Sequence, residues 1–202
     1  AKCRASSIAS RWNRTSSLSR TTAPLSTIIV STPSALSGGR TSDQATARDA
    51  IQAAVDGGFR MVEFTLTTPG ALDLVAEFSR RDGLLVGAGT VMSPELVRDA
   101  VAAGAHFVVS PICDPRVVAE AAEQDVACIP GAFTPTEMET AYRLGADFVK
   151  IFPAPPGGVA YIEAVRGPLP HLRLFPTAGA TPENFTEYLD AGCAGVGFVK
   201  SL

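Results

Sequence analysis

The amino-acid sequence predicts an α/β fold in one domain, with parallel strands that close into a barrel. After about Thr27, helical stretches with apolar residues spaced near 3.6 alternate with short apolar strands. Strict alternation of this kind gives parallel strands covered by helices, as an open doubly wound sheet or as a closed barrel. Eight strand segments can be counted, and no GxGxxG motif follows the first. We therefore predict a (β/α)8 TIM barrel in its small, single-domain form.

The elements follow one another as strand and helix along the whole barrel. The predicted strands are Thr27–Val30, Arg60–Thr65, Leu84–Gly87, His106–Val109, Ala127–Pro130, Phe148–Phe152, Arg173–Pro176 and Gly195–Val199. The predicted helices are Asp43–Asp56, Pro69–Arg81, Pro94–Ala103, Pro115–Gln124, Pro135–Leu144, Val159–Arg166 and Pro182–Ala191. The sequence stops just after the eighth strand, so we expect residues 27–202 to form a barrel whose last helix is missing or truncated.

Capping residues support the helix boundaries. Three helices begin with a hydroxyl residue followed by proline, at Ser93-Pro94, Thr134-Pro135 and Thr181-Pro182, which places a capping side chain before a proline in the first turn. Four helices end at a glycine, where a left-handed conformation carries no Cβ clash: Gly58, Gly104, Gly145 and Gly192.

The composition favours a globular protein with a small-molecule site. The chain has 202 residues, of which 46% are hydrophobic and 18% charged, so it can bury a substantial core. A net charge of -3 gives no reason to expect a nucleic-acid partner. No apolar run approaches the ~18 to 20 residues of a membrane span. The four cysteines, Cys3, Cys113, Cys128 and Cys193, lie far apart and are expected to be free thiols in a reducing compartment, although two disulfides stay open.

The segment 1–26 differs from the rest of the chain. From Ala1 to Ser42 there is no acidic residue, while arginines are interleaved with many Ser and Thr. This composition is typical of an organellar transit peptide and favours the chloroplast, with the cytoplasm as the alternative. Equally, part of the segment, near Ile8 to Trp12, can be a helix that caps the bottom of the barrel.

Lys150 is the most informative residue for the chemistry. It interrupts the apolar strand Phe148–Phe152, in a chain with three lysines among 17 basic residues. A lysine inside such a strand is desolvated, which lowers its pKa and gives the neutral amine that attacks a carbonyl. A lysine that snorkels at the strand edge, or pairs structurally with Glu63, is the alternative. Lys200 is a weaker candidate because it falls past the last predicted strand.

Glu63 is a second charge within an apolar strand. Period-two alternation puts Met61, Glu63 and Thr65 on one face, so Glu63 can point into the barrel. A carboxylate beside a desolvated amine can act as general acid and base, whereas a structural ion pair is the alternative. His106 and His171 precede strands, so we expect both at the bottom with structural roles. No cluster of His, Asp and Glu offers a metal site, and no cofactor is expected.

The ends of the last two strands resemble positions where barrels often bind phosphate. Thr177, Gly179 and Gly197 lie there, close to the helix predicted to start near Pro182, and backbone N–H groups at such places can hold an anion. The glycines can instead serve close packing alone.

Successive strand ends together resemble those of the family of 2-keto-3-deoxy-6-phosphogluconate aldolase and 4-hydroxy-2-oxoglutarate aldolase, over about Gly57 to Val199. The stretches that carry the resemblance are Gly57–Thr65, Val86–Val91, Ser110-Pro111, Ile129–Gly131 and Phe148–Ala154. The resemblance implies that Lys150 forms a Schiff base and that Glu63 moves the proton and activates water. It also implies a trimer, and that Thr90, Pro111 and Phe152 line the pocket for the pyruvyl half of the substrate. Gly131, at the end of the fifth strand, is a further candidate for substrate binding.

Three departures from that family bear on the substrate. Thr67 stands where the family usually has the arginine that holds the keto-acid carboxylate, so carboxylate affinity is expected to come from elsewhere. Thr67 is kept as a candidate substrate-binding residue. The phosphate loop reads Thr177-Ala178-Gly179-Ala180, and Phe198-Val199 replaces the strand-eight serine. These departures therefore favour an unphosphorylated 4-hydroxy-2-keto acid as the substrate.

The predicted function is that of an aldehyde-lyase of carbohydrate metabolism, which cleaves or forms a 4-hydroxy-2-keto acid without metal or cofactor. Its products are pyruvate and an aldehyde such as glyoxylate or glyceraldehyde 3-phosphate. One alternative is decarboxylation of oxaloacetate-like acids by the same lysine. The other is a non-catalytic barrel that binds keto acids or sugar phosphates.

Overall fold

A computed structural model describes residues 28–31 and 44–199. The segment 1–26, for which a transit peptide or a capping helix was expected, and Lys200 lie outside the described residues. The strands are β1 Ile28–Ser31, β2 Met61–Thr65, β3 Leu85–Gly89, β4 Phe107–Val109, β5 Ala127–Ile129, β6 Gly131–Ala132, β7 Val149–Ile151, β8 Leu174–Pro176 and β9 Val196–Phe198. The helices are α1 Gln44–Asp56, α2 Ala71–Phe78, α3 Pro94–Ala102, α4 Pro115–Glu123, α5 Pro135–Arg143, α6 Val159–Arg166 and α7 Phe185–Asp190.

The strands are parallel and close into the predicted barrel. One sheet runs β5-β4-β3-β2-β1-β9 and the other β6-β7-β8. The fifth barrel strand appears as two pieces, β5 and β6, because Pro130 lies between them and has no N–H to give to a ladder. Asp147 N–H donates to Cys128 O and Lys150 N–H to Pro130 O, which joins β7 to this strand. The hydrogen bond from Ala194 N–H to Leu174 O joins β8 to β9.

The lower part of the barrel interior is filled by one apolar cluster. Its members are Ile29, Met61, Phe107, Val109, Ala127, Ile129 and Phe175. They occupy alternate positions on their strands, as side chains on one face of a strand must. Because Met61 belongs to this cluster, the period-two argument is confirmed, and Glu63 faces the same interior one step higher. Two larger clusters join the outer faces of the strands to the helices.

Most of the predicted helix ends are confirmed. Ser93 Oγ accepts a hydrogen bond from Leu96 N–H, and Thr134 with Glu137 forms a complete capping box. The four predicted terminal glycines all have φ between 85° and 98°. The prediction at Thr181-Pro182 is wrong as a helix start, because α7 begins at Phe185 after a hydrogen-bonded turn. There Thr181 Oγ1 accepts from Glu183 N–H, and Asn184 Oδ1 accepts from Thr181 N–H.

Both histidines lie at the amino ends of strands, as predicted. His106 Nδ1 accepts a hydrogen bond from Val86 N–H. His171 Nε2 lies 2.8 Å from Glu139 Oε2, and the imidazole ring packs edge-on against the Tyr142 ring. The described cysteines, Cys113, Cys128 and Cys193, form no disulfide. Within the two described ranges, no helix is long and apolar enough to cross a membrane.

Candidate active site

The candidate site is the inward-facing layer above the apolar cluster, at the carboxyl ends of the strands. The alternation that places Met61 inside places Glu63 above it, and Lys150 lies between Gly131 and Phe175 in the parallel register. Toward the carboxyl ends of the strands, the positions with inward parity carry polar groups or glycine: Ser31, Glu63, Gly87, Gly89, Gly131, Lys150, Thr177 and Gly197. The register sets some of them directly beside the apolar cluster, with Lys150 next to Phe175 and Gly87 next to Phe107.

Lys150 is embedded in β7 and partly exposed through the barrel mouth. Its Nζ lies 5.0 Å from the centroid of the Phe152 ring. Burial lowers the pKa of the amine from its usual range, and the negative charge of Glu63 partly opposes this effect. A larger fraction of the amine is therefore neutral near pH 7 than for an exposed lysine, which is the form that attacks carbonyl carbon.

Glu63 is 4% exposed and faces the same space from β2. Burial raises the pKa of its carboxyl, while Lys150 and a hydrogen bond with the Ser31 side chain lower it. A carboxyl whose pKa is raised in this way keeps its proton to higher pH than an exposed glutamate does, and it can act as a general acid as well as a general base.

Lys150 and Glu63 interact electrostatically but do not form a salt bridge. Among the described residues, no salt bridge with an N···O distance within 4.0 Å joins them, and the salt bridges found there involve other side chains. The structure therefore does not contain the direct ion pair between Lys150 and Glu63 that the sequence left open.

Glycines keep the site open where strands and loops approach closely. A Cβ on Gly89 would come within 1.7 Å of Glu63 Oε1, and one on Gly131 within 2.2 Å of Pro111 O. Gly197 faces Thr177, whose Cγ2 would lie 3.0 Å from an added Cβ. The glycines therefore leave room for the Glu63 side chain and for the backbone of the loop after β4.

Thr90, Pro111 and Phe152, assigned to the pyruvyl pocket, follow β3, β4 and β7 at the rim of this layer. Thr90 has φ 60°, which is rare for a β-branched residue and costs about 1–3 kcal/mol. Flanking hydrogen bonds from Leu66 N–H to Gly89 O and from Val91 N–H to Val109 O hold it there. Phe152 is 41% exposed, so its ring is available to a ligand at the mouth.

Thr67 lies at the rim after β2, in a group of three threonines. Its hydroxyl donates to Thr65 Oγ1 at 3.4 Å, and Thr65 and Thr68 hydroxyls lie 3.3 Å apart. Thr65 and Thr68 are buried, whereas Thr67 is exposed. Of the three hydroxyls, that of Thr67 is therefore the one carried by an exposed residue.

Thr177 and Gly179 belong to the loop after β8. Thr177 is 6% exposed, and its Oγ1 has no hydrogen-bond partner in the described structure. Asn184 Nδ2 donates to Gly179 O and fixes the loop. The helix predicted to start at Pro182 begins at Phe185, after a hydrogen-bonded turn that starts at Thr181. The unpaired Thr177 hydroxyl is the polar group here that most needs a partner.

Sequence reasoning missed Ser31, which the structure places beside Glu63. A serine at the end of a short strand is unremarkable in one sequence. Strand alternation could have identified it. Ser31 lies two residues after the inward-facing Ile29, so its side chain points into the barrel as that of Glu63 does.

In the described part of the chain, no three His, Cys, Asp or Glu residues lie close enough to hold a metal ion.

The chain is similar in sequence to proteins of known family. Residues 36–200 match the family model described as KDPG and KHG aldolase. The chain is 36% identical over 168 residues to 2-dehydro-3-deoxy-6-phosphogalactonate aldolase of Escherichia coli K12, covering 81% of this chain and 80% of the relative.

Several solved structures are similar in fold, and two of them bear on the site and the assembly. One is KDPG aldolase from Legionella pneumophila with pyruvate captured at low pH as a covalent carbinolamine intermediate, with TM-score 0.71 and 29% identity over 87% of this chain and 86% of that one. The other is a protein cage designed by fusing symmetric oligomeric domains, with TM-score 0.74 and 34% identity. That match covers 86% of this chain and 63% of the longer fusion.

Proposed function

The chain belongs to the family of KDPG and KHG aldolases and is an aldolase, and from this we propose that it cleaves and forms a 4-hydroxy-2-keto acid through a Schiff base on Lys150. The observation that carries the proposal is the desolvated amine of Lys150, which shares the barrel mouth with the buried carboxyl of Glu63. The capture of pyruvate as a carbinolamine in the Legionella relative supports the same chemistry.

The reaction begins with the neutral amine of Lys150. It adds to the C2 carbonyl of the keto acid, and the carbinolamine loses water to give an iminium. Glu63 removes the proton from the C4 hydroxyl, and the C3–C4 bond electrons move into the iminium as the aldehyde leaves. Protonation of C3 and addition of water to the new iminium release pyruvate and the free amine.

The pocket residues have separate tasks in this scheme. Thr90, Pro111, Phe152 and Gly131 surround the pyruvyl half next to Lys150. Thr67 and its neighbouring hydroxyls bind the carboxylate, and Thr177, Gly179 and Gly197 face the leaving aldehyde. Because Thr177 Oγ1 lacks a partner, it can bond a hydroxyl or carbonyl oxygen of the substrate. The aldehyde is one such as glyoxylate or glyceraldehyde 3-phosphate. Ala178 and Phe198-Val199 alter the loop and strand end expected to bind phosphate, which favours glyoxylate, whereas the relatives named for phosphorylated sugar acids favour the phosphorylated aldehyde.

An assay of pyruvate release tests the function. The proposal expects turnover of 4-hydroxy-2-oxoglutarate and slower turnover of 2-keto-3-deoxy-6-phosphogluconate. Oxaloacetate serves as the comparison substrate, because the same iminium can decarboxylate it. If the protein releases carbon dioxide from oxaloacetate faster than it cleaves the aldol substrates, it is a decarboxylase instead. If it turns over none of the three substrates, it is a non-catalytic binding protein.

The proposed assembly is a homotrimer in which copies meet at the mouth of the barrel. Met92, Ile112 and Phe152 are between 40% and 47% exposed and follow three different strands. Met92 Sδ and Ile112 N–H both contact Ser110 Oγ, so these two lie together. The similar domain in the designed cage comes from a symmetric oligomer, which supports association. A chloroplast location is proposed from the composition of residues 1–26 alone.

A further inference from the structure

The carboxyl group of Glu63 is held by both neighbouring strands. Ser31 on β1 stands in register with Glu63, and its hydroxyl hydrogen-bonds to the carboxylate. On the other side, Gly89 at the end of β3 presents bare backbone to Glu63 Oε1. Ser31 is 9% exposed, so the hydrogen bond is shielded from competing water. The carboxylate of Glu63 therefore packs against the backbone of Gly89 on one side and accepts a hydrogen bond from the Ser31 hydroxyl on the other.

We propose that Ser31 is a positioning residue for the proton transfer, because its hydroxyl fixes the orientation of the Glu63 carboxylate opposite Lys150. The inference rests on the proposed function, in which Glu63 exchanges protons with the substrate and with water. A carboxylate that has lost its donor can rotate about its last torsion and spend less time in the orientation that reaches the C4 hydroxyl.

The surroundings of Glu63 leave few other groups to do this. Lys150 on β7 is the charged side chain that acts on Glu63 among the described residues. β3 contributes Gly87 and Gly89 to the inward face, and the side chains below are the apolar Ile29 and Met61. Loss of the Ser31 hydroxyl therefore leaves Lys150 as the remaining group that stabilises the ionised carboxylate.

The sign of the pH effect follows from the hydrogen bond. Ser31 lowers the pKa of Glu63, so its removal raises that pKa further and leaves less carboxylate at a given pH. The base form is needed to take the C4 proton. The acid side of the kcat profile must therefore move to higher pH when the hydroxyl is lost.

The test compares Ser31→Ala, Ser31→Cys and Ser31→Thr. The first two lack a good donor, and cysteine keeps nearly the volume of serine, whereas threonine retains the hydroxyl. We expect Ser31→Ala and Ser31→Cys to lower kcat about tenfold, as loss of a hydrogen bond to a charged group predicts, with KM little changed and the acid limb displaced upward. Ser31→Thr should keep the wild-type profile. If one variant fails to fold, the other donor-free variant makes the same comparison.

The outcomes separate this inference from the proposed function. Reduction with borohydride in the presence of pyruvate is run on every variant, and the wild type must be labelled for the proposed function to stand. If the wild type is labelled and turns over, but the donor-free variants keep its kcat and pH profile, Ser31 does not position Glu63. Reduced thermal stability with an unchanged profile would show a structural role and would equally overturn the inference.

Discussion

Burial pushes the pKa values of Lys150 and Glu63 in opposite directions, the first toward the neutral amine that attacks a carbonyl and the second toward the protonated acid. The amine of Lys150 is desolvated and loses its proton more readily, and the carboxyl of Glu63 holds its proton more tightly. Each charge limits the shift of the other. Burial and the charge of the other residue together set the pKa values of Lys150 and Glu63. The two side chains lie too far apart to form a salt bridge.

Replacement of Glu63 by glutamine should separate Schiff-base chemistry from proton transfer. The amide cannot take a proton, so kcat should fall about 10²–10⁴-fold. The amine of Lys150 remains, so borohydride trapping with pyruvate should persist. Steady-state kinetics and mass spectrometry make the measurement. Asp147→Asn is the matched control, because the pKa of that carboxyl is also raised by burial but it lies at the amino end of β7. Wild-type turnover in Glu63→Gln would contradict the role.

A cation introduced at Thr67 should improve binding of the keto acid. The exposed threonine offers a neutral hydroxyl, whereas arginine offers a charged fork to a carboxylate. We expect KM in Thr67→Arg to fall about tenfold, which corresponds to one charge-assisted hydrogen bond. Thr67→Gln adds length without charge and should leave KM near the wild type. Equal KM values in the two variants would show that the carboxylate binds elsewhere.

At the residue scale, the sequence alone was sufficient for Lys150 and Glu63 because each interrupts an apolar strand. It was insufficient for Ser31, since that role depends on which strand lies beside β2. It also did not reveal the unpaired hydroxyl of Thr177, because burial without a partner arises only when the loop after β8 has folded.

At the scale of the elements, the alternation of side chains along each strand decides which residues face the barrel interior, and the helix caps fix where the helices begin. Short strands of two to five residues suffice, because each contributes one or two inward positions at its carboxyl end. Pro130 interrupts the fifth barrel strand without opening the barrel, since its carbonyl still accepts from Lys150 N–H. That hydrogen bond fixes the backbone at the proposed nucleophile.

The capping box of α5 should contribute measurably to stability. In Thr134→Ala, Glu137 N–H loses its side-chain acceptor, which costs about 1 kcal/mol. For a domain of this size the midpoint of thermal unfolding should drop by roughly 2–4 °C. Thr136→Ala in the first turn of the same helix removes an exposed hydroxyl that does not cap it and should change the midpoint little. Calorimetry on both variants measures the difference, and equal midpoints would contradict the capping role.

Element boundaries were predictable where a cap or a terminal glycine stood in the sequence, as at Ser93, Thr134 and Gly145. The prediction failed at Thr181 because the side chain of Asn184 competes for the Thr181 N–H and holds a turn. α2 is shorter than Pro69–Arg81 because Gly70, with φ 70°, delays its start and the helix ends at Phe78. These are tertiary and side-chain effects that local propensity does not contain.

The whole molecule places its exposed apolar side chains unevenly. Met92, Ile112 and Phe152 surround the barrel mouth, whereas Tyr142 and Leu144 lie at the opposite end. The closed barrel and its single-domain form could be predicted from strict alternation. The surface proposed to meet another copy could not be predicted, because the exposure of Ile112 depends on how the loop after β4 folds.

Disruption of the apolar rim should dissociate the proposed trimer. Ile112 is 47% exposed, and a lysine there would have to be buried, unpaired, between copies. Size-exclusion chromatography with light scattering should show Ile112→Lys as a monomer. Leu144→Lys, at a residue 39% exposed on the opposite end, should keep the mass of the wild type. Dissociation by Leu144→Lys alone would place the interface at the bottom of the barrel.

The most direct test of the account is reduction with borohydride in the presence of pyruvate at neutral pH, followed by peptide mapping. A buried amine with a lowered pKa should condense with pyruvate and become covalently labelled at Lys150. The label should be absent in Lys150→Met and unchanged in Lys200→Arg, the matched control in a chain of three lysines. Labelling that survives in Lys150→Met, or a wild-type protein that gains no mass, would contradict Schiff-base chemistry at Lys150.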